Sequence, residues 1–264
     1  MEYLHAIILG VVQGVAEFLP ISSSGHLVIA DALLREFGGT KVPKESVTME
    51  IALHFGTLMS ILVVYRNDLL KLLADRRLIF MIVVATVPVG IIGILLKESG
   101  ADKKLMTPFV AGCGLFVTAC FLLAGRKLQR ESTRPLTEMS FGMATIIGLF
   151  QAIAIIPGVS RSGSTIAAGV ATGLDRENAA RFSFLIAIPA IGGATLVQLK
   201  KIVGGEESLS GEVGALLLGT VVAFVVGLLA LRWLIKVVVA DRLHLFAIYC
   251  AIAGVATVVW QTVT

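Results

Sequence analysis

Five ionisable residues stand well inside otherwise apolar stretches of the chain: Glu17, His26, Glu50, His54 and Arg161. Charge in such surroundings is costly, so each is a functional candidate by default. Arg161 lies between Ser160 and Ser162, with Gly158 and Gly163 keeping the backbone open. A guanidinium fork, serine hydroxyls and the free N–H groups of a helix N-terminus make an anion site. A helix beginning near Ser162 would aim its positive end at the ligand, and one beginning after Ser24-Gly25 would do the same. Two helix starts and an arginine converging on one point suit phosphate or pyrophosphate. Glu17, seven residues before Ser24, reaches the same loop and suits proton handling or the holding of a divalent cation. Ser23 and His26 are three residues apart, near enough for the imidazole to activate the hydroxyl as a nucleophile. Such a set serves phosphoryl transfer, where positioning and charge stabilisation do most of the work.

Plainer roles compete with these. Ser/Gly-rich breaks in membrane helices also coordinate ions in transporters. Ser22 and Ser160 are good helix caps, and Gln13 and Gln151 can be hydrogen-bonding glue between helices. His54 suits a packing role as well as a site role, and Glu50, at a span start, suits interfacial solvation. Arg161, in the middle of an apolar segment, has the fewest structural alternatives.

The elements that must position these residues are membrane helices. Of the 264 residues, 56% are hydrophobic and only 15% charged, against roughly 25% charged in a soluble domain; the mean hydropathy is +0.92. A bilayer core needs roughly 20 apolar residues per helical span, and the candidates are Ile51–Tyr65, Leu78–Leu96, Leu105–Ala124, Phe182–Leu199, Val213–Leu231 and Leu243–Val259. No basic stretch precedes the first apolar run and Glu17 interrupts it, so it is expected to be mature sequence, not a leader. Cys113, Cys120 and Cys250 lie in apolar spans without metal or disulfide spacing and are expected to be small buried packing residues. The net charge of +4 is spread over loops, which argues against a nucleic-acid partner.

Two further apolar segments, about Leu4–Leu34 and Met139–Leu174, are broken, the first over Pro20–His26 and the second over Pro157–Ser164. They align without gaps at an offset of 138 residues: Gly10 with Gly148, Gln13 with Gln151, Ala16 with Ala154, Ser22 with Ser160, Ser24 with Ser162, and Gly25 with Gly163. Irregular backbone at membrane depth is tolerated only inside protein or against a water-filled cavity. Each broken segment is therefore expected to be a re-entrant helix–loop–helix, and three spans between the two make them enter from opposite faces. The expected fold is an all-α polytopic membrane protein, one domain over 1–264. It is an inverted-topology repeat (about 1–125 and about 139–264), each half one re-entrant hairpin plus three transmembrane helices. Arg66–Arg77, Arg126–Arg134, Arg176–Arg181 and Arg232–Arg242 place 13 Lys/Arg on one side, against 8 on the other. The positive-inside rule makes the richer side cytoplasmic, so the first hairpin opens from the outer side.

On these residues the chain resembles the undecaprenyl-pyrophosphate phosphatases, the bacitracin-resistance protein family. The resemblance covers essentially the whole chain. Gln13-Gly14-Val15-Ala16-Glu17, with the following Ser22-Ser23-Ser24-Gly25-His26, is similar to the family's Glu/Gln-x-x-x-Glu motif and Ser-Ser-x-Gly-His loop; Pro157-Gly158-Val159-Ser160-Arg161-Ser162-Gly163 matches its Pro-Gly-x-Ser-Arg-Ser-Gly loop. The resemblance implies hydrolysis of undecaprenyl pyrophosphate to undecaprenyl phosphate, which recycles the lipid carrier of peptidoglycan synthesis and confers bacitracin resistance. A polyprenyl phosphate transporter or flippase is the alternative. It implies a catalytic set of Glu17, Ser23, His26 and Arg161, with either Ser23 or His26 as nucleophile. Ser22, Ser24, Gly25, Ser160, Ser162, Gly163 and Gln13 are expected to bind substrate, and Mg²⁺ or Ca²⁺ to sit on Glu17 and the substrate's oxygens. Gln13 stands where many members carry a second carboxylate, which removes one negative charge. The expected setting is the bacterial plasma membrane, the site open to the outer side, with membrane lipids and a second copy of the chain as further candidate partners.

Overall fold

A computed structural model describes residues 2–37, 47–72, 75–129, 134–204 and 212–263 of the chain. Among them every regular element is helical: α1 (Glu2–Ala16), α2 (Ser23–Phe37), α3 (Val47–Val64), α4 (Arg66–Leu72), α5 (Arg76–Glu98), α6 (Ala101–Leu105), α7 (Pro108–Leu128), α8 (Phe141–Ile153), α9 (Arg161–Ala171), α10 (Arg176–Val203), α11 (Val213–Val239) and α12 (Leu243–Val263). Helices α5, α7, α10, α11 and α12 are long and apolar enough to cross a membrane, and α3 is a shorter apolar helix of 18 residues. The chain is an all-α multi-pass membrane protein. Its outer faces carry Ile94, Leu196, Leu217, Leu229 and Ile252, each more than half exposed, as surfaces facing lipid do. The polar loop expected after Arg35 lies, from Gly38 to Ser46, outside the described residues.

The four helices of the two broken segments hold 11 to 15 residues each, short of a bilayer crossing. The breaks fall earlier than expected, at 17–22 and 154–160 rather than at Pro20–His26 and Pro157–Ser164. Proline explains the shift: its ring clashes with the carbonyl four residues back, and α1 ends at Ala16 and α8 at Ile153, each four residues before Pro20 or Pro157. The serines restart each helix. Ser160 caps α9 by accepting from Gly163 N at 3.1 Å, and Ser22 accepts from Gly25 N at 3.3 Å. Helix α9 is buried from Ser162 to Val170, as backbone away from lipid must be.

Corresponding parts of the two segments pack in corresponding ways. Helix α1 lies on α11 as α8 lies on α5, and α7 packs on α12. The tips also cross. A Cβ on Gly25 would fall 2.6 Å from Gly158 Cα, and one on its counterpart Gly163 would fall 3.1 Å from Pro20 Cβ. Each Ser-x-Ser-Gly thus ends in a glycine because the opposite loop passes against it. This is in keeping with the duplicated plan. The basic loops also meet at one end. Arg126 and Arg176 both pair with Asp241, Arg181 pairs with Asp68, and Arg77 donates to the carbonyls of Thr137 and Met139.

One expectation is corrected. Cys250 is buried, its thiol 3.4 Å from Pro20 O, but Cys113 and Cys120 are exposed on α7. An apolar span offers two apolar surroundings, lipid and protein, and the cysteines divide between them.

Candidate active site

The two broken segments converge on a cavity of about 370 Å³ lined by Glu17, Ser22, Ser23, Ser24, His54, Gln151, Ser160 and Arg161, with Val89, Ile155, Ala190 and Ala194 on its apolar side. Glu17, the first residue beyond α1, keeps its N–H on Gln13 O at 2.9 Å, so its carboxylate projects from the end of that helix into the cavity. Its side chain is 8% exposed. Burying a carboxylate demands partners, and it has them. Arg161 Nη2 donates to Oε1 at 2.7 Å; Gln13 Nε2 and Ser23 Oγ donate to Oε2 at 3.0 and 3.2 Å. The ion pair joins the first segment to the second across 144 residues of sequence.

Arg161 is only half satisfied. Its Nη1 is buried without a partner, although buried donors are nearly always paired. The first turns of α2 and α9, which start at Ser23 and Arg161, have backbone N–H groups without an intrahelical acceptor, as every helix start does. An anion with several oxygens fits those donors. By contrast, the N–H groups of Gly25 and Gly163 are taken by Ser22 and Ser160.

Placement divides the expected site residues. Glu17, Ser22, Ser23, Ser24, Ser160 and Arg161 share the cavity, and Gln13 joins them through Glu17. Ser162, 1% exposed, instead donates to Leu19 O at 3.3 Å, tying the loops together, and Gly25 and Gly163 form the tip contacts. His26 is turned away, which corrects the expected Ser23–His26 pairing. Its Nδ1 bonds Ser22 O at 2.8 Å, its Nε2 bonds Tyr249 Oη at 2.6 Å, and the two rings stack. A carbonyl only accepts, so Nδ1 carries the hydrogen, and in the neutral ring Nε2 then accepts from the tyrosine. Ser22 has φ +67°, a left-handed backbone that costs a non-glycine residue about 1–2 kcal/mol. His26 holds that turn in place.

Three further residues border the expected set. His54 on α3 lies with Nε2 3.8 Å from Glu17 Oε2, its Nδ1 on Glu50 O at 2.9 Å; its position in an apolar span was the signal. Thr118 on α7 accepts from Ser160 N and donates to Gly158 O, both at 2.8 Å, fixing the second loop. Nothing in its local sequence marks it. Gln151 Nε2 donates to Ala85 O at 3.1 Å, the inter-helix glue expected of it, while its buried Oε1 has no partner.

Among the described residues no cluster of three or more His, Cys, Asp or Glu side chains could hold a metal alone. Among the side chains lining the cavity, the Glu17 carboxylate and the serine hydroxyls suit a hard cation of the kind that binds through one or two protein oxygens plus substrate phosphates. The fit is therefore to a cation shared with substrate.

Helical spans enclosing an arginine, a carboxylate and two serine-started helices define a polytopic membrane protein with a polar cavity among its helices. The family model of bacitracin resistance protein BacA matches residues 6–256, and the chain belongs to that family. An undecaprenyl-diphosphatase of Rhodopirellula baltica is 47% identical over 97% of each chain. Those of Methanosphaera stadtmanae and Halothermothrix orenii are each 39% identical, over 98% or more of both chains.

Proposed function

We propose that the protein hydrolyses undecaprenyl pyrophosphate to undecaprenyl phosphate and inorganic phosphate in the bacterial plasma membrane, recycling the carrier lipid of cell-wall synthesis. The observation that carries this reading is the half-satisfied Arg161, held against Glu17 beside Ser23 at the junction of two helix N-termini. The names of the relatives support the substrate. The pyrophosphate binds Arg161 Nη1 and the free N–H groups of α2 and α9, with Ser22, Ser24 and Ser160 alongside. Ser23 Oγ attacks the terminal phosphorus, its proton passes to Glu17 Oε2, and the bond to the lipid phosphate oxygen breaks. Water then cleaves the phosphoserine, releasing phosphate. His54 Nε2 is placed to share the proton held by Glu17. His26, with both ring nitrogens engaged, holds the Ser22 turn and is not the nucleophile. Glu17 would hold Mg²⁺ or Ca²⁺ together with the substrate, and the cation would supply charge neutralisation at the phosphate oxygens. The two segments form an inverted repeat, and the first opens toward the outer side, where the spent carrier lipid carries its pyrophosphate.

Phosphate release by the purified protein, with polyprenyl pyrophosphate and either cation, tests the reading. Arg161→Ala leaves Glu17 buried without its cation, which costs about 3–5 kcal/mol when a buried pair is broken, so Arg161→Lys is the companion variant. Loss of turnover in both, with folded protein recovered for the lysine variant, is expected. Near-normal turnover in Arg161→Lys, or no release by the unsubstituted protein under any condition, contradicts it.

A further inference from the structure

Beside the polar cavity lies a second one of about 440 Å³, a groove between α5 and α10. The two share Val89, Ile155, Ala190 and Ala194 in their walls, so the groove opens from the apolar side of the anion site. Each helix contributes one stripe at three- and four-residue spacing, Gly90, Gly93 and Ile94 from α5 and Gly193 and Val197 from α10. Residues so spaced line one face of a helix. The groove is open because its walls are small. A Cβ added at Gly90 or Gly193 would meet nothing within 4 Å, and one at Gly93 would meet only Ile155 Cδ1, at 3.9 Å. Ordinary helix seams are closed by the glycines they contain; in the α1–α11 seam a Cβ added at Gly10 would fall 2.8 Å from Gly219 O. Lys97 and Gln198 stand at the far end, where a long cationic side chain can reach the membrane interface.

We propose that this groove is the subsite for the first isoprene units of the lipid tail, and that α5 and α10 form the lateral entrance by which the substrate reaches the site. This rests on the phosphatase reading. A pyrophosphate in the polar cavity must leave its tail on the apolar side of that cavity, and the groove continues from there. Its apolar lining suits a hydrocarbon and not a headgroup. The surrounding lipid is as apolar as the groove, so the gain is not desolvation. It is close packing of the chain against the two helices, which adds to substrate affinity. Gly90 and Gly193 therefore act as specificity determinants, with no part in the chemistry.

The test uses Gly90→Leu and Gly193→Leu, which fill open space and leave the fold intact, with farnesyl pyrophosphate (three isoprene units) and isopentenyl pyrophosphate (one unit). Filling the groove should raise KM for farnesyl pyrophosphate about tenfold, the low end of what small changes in an apolar pocket do to discrimination. The kcat for both substrates should stay within about twofold, and the KM for isopentenyl pyrophosphate, whose one unit reaches only the mouth of the groove, should rise less than that for farnesyl pyrophosphate. Equal effects on both substrates, or none, overturn the proposal. A methylene-bridged, non-hydrolysable polyprenyl pyrophosphate with a diazirine on its second isoprene unit gives an independent reading. Cross-links to Ile94 or Val197 support the subsite; cross-links confined to α1, α11 or α12 overturn it. If the unsubstituted protein cleaves neither substrate, the phosphatase reading fails, and the cross-links still decide the groove.

Discussion

The first and second broken segments share one sequence pattern yet place different groups in the cavity. In the first, Glu17, Ser23 and the left-handed Ser22 stand in a turn whose carboxylate gathers three donors. In the second, the hydroxyls of Ser162 and Ser164 are spent on backbone carbonyls, Thr118 pins Ser160, and α9 is buried almost throughout. The matching positions explain it: Glu17 faces Ile155 and Ser23 faces Arg161 across the 138-residue offset. In the proposed reaction the first segment holds the groups that change protonation and bond. The second holds the one arginine, on a buried helix. A duplicated scaffold can thus place a reactive loop and a binding loop on the same point, because the crossing of the tips at Gly25 and Gly163 is common to both.

Breaking the reactive half should have the largest effect. Ser23→Ala removes the nucleophile and should lower kcat on the order of 10⁴-fold, read by phosphate release. Glu17→Gln keeps the size of the side chain but not its basicity, and should cost about 10³-fold. On the clamp side, Arg161→Lys keeps the charge and loses the fork, so a loss of about 10²-fold is expected, with KM rising. His26→Asn or Tyr249→Phe should cost about tenfold in kcat and leave the shape of the pH–rate profile unchanged, because the pair positions Ser22 and moves no proton. A profile that loses one limb in His26→Asn would make His26 the acid or base. Ser162→Ala should lower stability by about 1 kcal/mol, the usual worth of one hydrogen bond, read as a lower melting temperature.

The spans and both hairpins were legible because hydropathy and proline act locally: Pro20 and Pro157 end their helices four residues back, whatever surrounds them. Arg161 and Glu17 were legible because charge in an apolar segment needs a reason. The orientation of His26 was not. At i and i+3 it shares a helix face with Ser23, but its ring is fixed by Tyr249, 223 residues away. His54 was noticed as an ionisable residue in an apolar span, yet only the packing of α3 puts it beside Glu17. Cys113 and Cys120 show the same limit in another form. Hydropathy separates water from apolar surroundings and does not separate lipid from protein interior.

The division between reactive and clamping halves is tested most directly by trapping the reaction. Brief incubation with substrate labelled at the terminal phosphate, a denaturing quench and peptide mapping should find acid-stable label on Ser23. Acid-labile label on His26, or turnover with no labelled residue at all, contradicts the assignment of the first turn as the site of bond making.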